Sequence, residues 1–256
     1  MLKQITGGFI TAFSMYSVLP MPQRAWTKDT MKYAMCFFPF VGVIIGAAVY
    51  GWTSLSVFFR FSPLLFSAVL TVLPVLISGA IHLDGFLDTS DALYSRQEKQ
   101  RKLEILKDPH IGAFGVISCV SYFVLMLGLA AEYYQHVDSL LLLCLGYVVS
   151  RVFSSLAVVS FRVAKDSGLA YLFSNQAQKT VVRAVNLCTL FLCYAAMFWV
   201  DWRTTLLLIS IHGLAFCFFR FFVYRRFGGM TGDLAGFFVC VLELLTLLAV
   251  TFGVML

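Results

Sequence analysis

Ser78-Gly79-Ala80-Ile81-His82-Leu83-Asp84-Gly85-Phe86-Leu87-Asp88-Thr89-Ser90-Asp91 is where an apolar run gives way to carboxylates. Upstream, Pro63 to Ile81 carries no charged residue and approaches the ~20 residues needed to cross a hydrocarbon core. Downstream, three aspartates recur at i, i+4 and i+7, the spacing that stacks side chains on one face of a helix. A membrane-crossing segment is therefore set directly against an acidic helical stripe. Such a stripe is either a solvated helix start or an oxygen-only site for a hard cation, above all Mg²⁺. That ion takes one or two protein carboxylates and leaves positions for water and phosphate oxygens. The position beside a span favours the cation.

Composition sets the class. The chain has 256 residues, 60% hydrophobic and 12% charged, with a mean hydropathy of +0.87. Soluble domains carry about 25% charged residues, so most of this chain must face lipid. The expected fold is all-α: a polytopic integral membrane helix bundle forming one domain over residues 1–256. Expected spans are Met31–Phe59, Pro63–Ile81, Ile111–Ala131, Ser139–Ser160, Val181–Val200, Thr204–Phe222 and Leu234–Val254, about seven in all. They are preceded by a short apolar segment, Ile5 to Leu19, that ends in Leu19-Pro20-Met21-Pro22 and suits a re-entrant or interfacial helix. No removable signal peptide is expected, since no small-residue cleavage site follows a short apolar core. All seven cysteines lie in apolar stretches without a C-x-x-C pair and read as small buried hydrophobes, neither disulfide frame nor zinc site.

Orientation follows from Lys and Arg in the loops. Residues 82–110 form a polar arm with five of them, whereas Glu132 to Asp138 has none. The loops with Arg162, Lys165, Lys179 and Arg183, and with Arg225 and Arg226, alternate with poorly charged ones. This places the arm of about 82–110 in the cytoplasm. The net charge of +6 then belongs to cytoplasmic loops, and no basic patch interleaved with aromatics calls for nucleic acid.

The unusual polar motifs fall on that same side. Asp108 precedes Pro109 and a Gly-containing turn, as helix cap or metal ligand, and Lys107 beside it is a solvated lysine or a phosphate contact. Gly228-Gly229-Met230-Thr231-Gly232-Asp233 enters a span and offers backbone amides to an anion, with Asp233 as N-cap or metal ligand. Arg151 is an ionisable residue within a span, costly unless functional or paired; it either pairs with Glu243, the other such residue, or points to a bound phosphate, and a phosphate contact is expected for it, with a structural partner role for Glu243. Lys165-Asp166-Ser167-Gly168 adds another charge pair. His82 is a helix-start cap or a general base reaching the site. Together these imply a Mg²⁺-binding, phosphate-friendly mouth suited to phosphoryl or pyrophosphoryl chemistry.

The stretch Ser78 to Asp91, with its H-x-D-G-x-x-D-x-x-D core, resembles the signature of the cobalamin synthase, or adenosylcobinamide-GDP ribazoletransferase, family. Other blocks agree in order: Ser17 to Pro22, Phe38-Pro39-Phe40-Val41-Gly42, Leu106 to Val116, Ser150-Arg151, Ala164 to Leu169 and Gly228 to Asp233. Ala92, where the family is expected to have glycine, departs from the pattern. The resemblance implies a multi-pass protein of the bacterial inner membrane, with its site facing the cytoplasm. Adenosylcobinamide-GDP would be joined there to α-ribazole or its 5′-phosphate, with release of GMP and a requirement for Mg²⁺. The ribazole 3′-hydroxyl would attack the phosphorus attached to cobinamide. Asp84, Asp88 and Asp91 would hold the metal, one of them or His82 serving in proton transfer. Asp108 and Asp233 would be secondary ligands, while Lys107, Arg151, Lys165, Thr231 and Gly232 would meet phosphate. A homo-oligomer is compatible with this reading.

Two other classes compete. A CDP-alcohol-type membrane phosphotransferase uses spaced aspartates but needs a second aspartate block with an alanine-arginine pair, which this chain lacks. A cation transporter should carry its acidic residues at the midplane, where only Glu243 lies.

Overall fold

The computed structural model describes residues 2–22, 27–165 and 168–253; Arg24, Asp166 and Ser167 lie outside the described residues. It is a helical bundle. Its elements are α1 (Leu2–Tyr16), α2 (Lys28–Met31), α3 (Ala34–Phe59), α4 (Pro63–Ser78), α5 (Ile81–Tyr94), α6 (Lys99–Ile105) and α7 (Ala113–Tyr133). After a 3₁₀ stretch come α8 (Leu140–Ser160), α9 (Leu169–Gln176), α10 (Lys179–Val200), α11 (Trp202–Arg226) and α12 (Gly232–Gly253). Among the described residues, six helices are long and apolar enough to cross a membrane unaided, namely α3, α7, α8, α10, α11 and α12. The bent pair α4–α5 supplies a seventh candidate. At 1.5 Å per residue α4 is about 24 Å long. The expected multi-pass bundle is thus the observed one, and α1, as expected, is not among the six.

α8 is the hub. It is buried on nearly every face, from Leu142 to Val159, and packs on α3, α12 and α10. Close approach to α3 depends on Gly42 and Gly46: a Cβ on Gly46 would lie 2.7 Å from the Cys144 carbonyl oxygen, and one on Gly42 would collide with that of Tyr147. The small-xxx-small pair read from sequence is therefore a helix crossing point. The outer helices show their apolar side chains to the surroundings, Trp199 and Phe191 among them. Cys188 and Cys217 share that exposure, while Cys36, Cys144, Cys193 and Cys240 are buried. The cysteines are thus not uniformly interior: in a lipid-facing bundle a small apolar side chain suits either side.

The segment that opened the sequence reading makes two helices where one boundary was expected. Gly79 (φ 64°) and Ala80 (φ 60°) are both left-handed, and α5 leaves α4 at 96°. α5 runs antiparallel along the first turns of α12, with His82 opposite Gly236 and Gly85 opposite Asp233, and packs on α7 as well. Gly85 and Gly236 permit the first contact, since a Cβ on Gly85 would stand 2.6 Å from the Asp233 carbonyl oxygen and one on Gly236 3.0 Å from that of His82. At its other end, Asp91 accepts the Gly112 and Gly115 amides, each at 2.8 Å. The stripe of aspartates is thereby pinned against both helices.

Candidate active site

Asp84 is exposed, while Asp88 and Asp91 are half-buried. Asp91 has its two carboxylate oxygens engaged by the amides that open α7, so it satisfies backbone donors a helix leaves without internal partners. Asp88 has its pKa raised from 3.8 to about 7, first by burial and then by Asp84, Asp233 and Asp91. The ion pairs among the described residues are Arg101–Glu104, His110–Asp108 and Arg151–Glu243. None draws on Asp84, Asp88 or Asp233.

Asp233 reaches this group from α12. Thr231 caps that helix, its Oγ1 accepting the Leu234 amide at 3.3 Å, which leaves the Asp233 carboxyl free of the N-cap role. The loop that carries Lys165 is held alongside by a parallel bridge, Val163 to Met230. Met230 donates its amide to the Arg162 carbonyl at 2.8 Å, and Ala164 donates to that of Met230 at 3.0 Å. Lys165 Nζ donates to the Leu103 carbonyl at 2.6 Å; burial and the nearby Lys107 charge lower its pKa.

Two adjoining cavities result. One of about 310 Å³ is lined by Lys107, Lys165, Thr231, Gly232 and Asp233. The other, of about 240 Å³, is lined by Tyr16, Phe38, His82, Asp84, Phe173 and, again, Gly232 and Asp233. Carboxylates and lysines thus meet where α12 begins, and the helix N-terminus adds its own partial positive charge.

Three expected site residues sit elsewhere or otherwise than expected. Arg151 does not reach the mouth: it is fully buried, pairs with Glu243 and donates to the Tyr147 carbonyl at 2.9 Å. A guanidinium in mid-span has no water to solvate it, and a partner on α12 serves better than a distant phosphate. Asp108 turns back on its own loop, accepting the His110 amide at 3.0 Å and facing His110 Nδ1 at 2.8 Å; these contacts lower its pKa. His82 is only 6% exposed and lies against Tyr16 and Phe38. Its Nε2 is buried without a hydrogen-bond partner. Tyr16 and Phe173, both on the cavity wall, carry no motif that sequence reasoning could have used. Phe38 falls in a block noted for its proline and glycine.

The donor set has the chemistry a hard cation needs, with Asp84, Asp88 and Asp233 close enough to act on one another. Yet among the described residues no three His, Cys, Asp or Glu side chains are drawn into one coordination shell.

Fold and site define a class: a polytopic helical membrane protein with a charged cavity pair where α12 begins. The family described as cobalamin-5-phosphate synthase matches residues 8–251, and the chain belongs to that family. It is 40% identical over 241 residues to the adenosylcobinamide-GDP ribazoletransferase of Lachnoclostridium phytofermentans, covering 93% of this chain and 91% of that one. It is 34% identical over 237 residues to the same-named protein of Clostridium perfringens strain ATCC 13124, covering 90% and 91%. A Clostridium botulinum relative of that name, from strain Alaska E43, is 29% identical over 248 residues, 96% and 97% of the two chains. No solved structure gives a significant match.

Proposed function

We propose that this protein transfers the phosphocobinamide part of adenosylcobinamide-GDP to α-ribazole or its 5′-phosphate and releases GMP. The observation that carries this reading is the meeting of Asp84 and Asp233 with Lys107 and Lys165 in two cavities that share the first turn of α12. An acceptor hydroxyl placed by Asp84 or Asp233 loses its proton to a carboxylate as its oxygen bonds to the cobinamide-side phosphorus. The bond from that phosphorus to the GMP oxygen breaks, and Lys107, Lys165 and the amides at Gly232 take up charge on the leaving phosphate. Asp84 and Asp88, with Asp233 nearby, are the residues that would hold Mg²⁺, whose chemistry when bound is to offset negative charge on the phosphates. Asp91 joins this proposal as the residue that positions α5.

Purified protein given adenosylcobinamide-GDP, α-ribazole and Mg²⁺ should release GMP; folded protein that releases none sinks the reading. Omission of Mg²⁺ should stop turnover, and undiminished turnover in chelator would remove the metal from it. We further propose a bacterial inner-membrane location with the site facing the cytoplasm, on the strength of the basic loops. A reporter fused after Lys102 should read cytoplasmic, and a periplasmic signal reverses the orientation.

A further inference from the structure

We propose that the cavity walled by Tyr16, Phe38 and Phe173, with His82 among its lining, receives the benzimidazole ring of α-ribazole and turns the riboside hydroxyls out toward Asp84 and Asp233. The proposal rests on the ribazoletransferase reading and adds to it the place and orientation of the acceptor.

Size excludes the larger partner. The cavity holds about 240 Å³, below the ~300–1,000 Å³ of sites that enclose drug-sized ligands. It accepts one fused ring system and no corrin macrocycle. Its walls suit a flat aromatic. Tyr16 stacks on His82 with ring centroids 5.9 Å apart, Phe38 meets His82 edge-on at 5.5 Å, and Phe173 stands 6.1 Å from Tyr16. These rings come from α1, α3, α5 and α9, so the cavity exists only in the assembled bundle.

Polarity separates benzimidazole from guanine. Ser154 spends its hydroxyl on the Ala235 carbonyl at 3.1 Å. Asp84 lines a neighbouring opening as well, and Asp233 borders the lysine-lined cavity, so both belong to the mouth. The Tyr16 hydroxyl and His82 remain, and of these the His82 Nε2 is buried without a hydrogen-bond partner. The benzimidazole of a riboside has one free ring nitrogen, an acceptor that a single N–H at Nε2 satisfies. Guanine displays N7, O6 and an exocyclic amine, and several of these would stay unpaired here at a cost. With the ring seated, the ribose falls between the two cavities and the pyrophosphate beside Lys107 and Lys165.

Photolabelling of the unaltered protein with an azido-substituted α-ribazole reports occupancy without requiring turnover. Label should fall on peptides containing Tyr16, Phe38 or Phe173, and label confined to other peptides overturns the proposal. In GMP-release assays Phe173→Leu should raise KM for α-ribazole by about tenfold, as loss of a ring contact predicts. KM for adenosylcobinamide-GDP should stay within about twofold. A selective rise in the latter assigns the cavity to guanine instead, and unchanged KM values assign it to neither. Should Phe173→Leu fail to accumulate, the photolabel still decides. Wild-type protein that takes the label in the cavity but releases no GMP refutes the reaction while upholding the ring site.

Discussion

At the scale of the residue, the three aspartates of one stripe have parted company. Asp84 faces the cavities, Asp88 is half-buried among carboxylates, and Asp91 is committed to backbone amides. Asp84→Asn keeps shape and removes charge, so it should lower kcat by at least about 100-fold, the usual worth of a group acting on the reacting atoms, with expression unchanged. A variant that keeps most of its turnover across a Mg²⁺ titration would show that Asp84 does not act there. Asp88 makes a pH prediction. Its pKa is raised from 3.8 to about 7 in the folded protein, so the folded state binds the proton more tightly than the unfolded chain. The resulting stability is present below about 4 and lost as pH rises to about 7. Without divalent cation, melting temperature should fall across that window, and Mg²⁺ should restore more of it at the upper end, where the carboxylate is ionised.

At the scale of the element, α5 is a bar packed along the first turns of two spans. Asp91 and the glycines at 112 and 115 form one joint, and a Cβ on Gly115 would press into the Leu87 carbonyl, 3.2 Å away, as well as the Asp91 carboxylate. Asp91→Asn should cost about 1–2 kcal/mol, the range for losing a good cap, read as an earlier thermal transition with KM little changed. Gly112→Ala should be worse for kcat than for yield, because it displaces the bar without removing a charge. Equal kcat in Gly112→Ala and wild type would show that α5 need not sit where it does. Much of this element was legible in the sequence: the i, i+4, i+7 aspartates do share a helix face, and the apolar run before them does form a helix. The 96° turn was not. Gly79 suits a left-handed residue, but Ala80, whose amide donates to the Val75 carbonyl at 2.9 Å, carries no such signal.

For the whole molecule, apolar runs of span length announced every crossing, because lipid tolerates little else. The mouth was also legible as a gathering of polar motifs on one side. What periodicity could not supply was direction within the bundle. Arg151 read as a phosphate contact in preference to a pair with Glu243, whereas that residue, 92 positions away on α12, is its partner. Removing one member of such a buried pair costs about 3–5 kcal/mol, since the other charge is stranded, while replacing both by apolar groups is often neutral. Glu243→Leu should therefore reduce folded yield sharply, and Arg151→Met with Glu243→Leu should recover it. If the double variant is no better than the single, the pair does not account for the loss.

That ion pair also bears on how the chain is made. α8 leaves the ribosome long before α12, so the bundle's most buried helix must enter the bilayer with an uncompensated Arg151. Placement of an arginine at mid-helix is penalised by about 2.5–3.5 kcal/mol during insertion. Biogenesis of the hub then waits on α12, which carries Glu243. A chain ending after Phe227 should show α8 poorly inserted and rapidly degraded, and Arg151→Leu in that truncated chain should restore its insertion, as protease mapping of membranes would show.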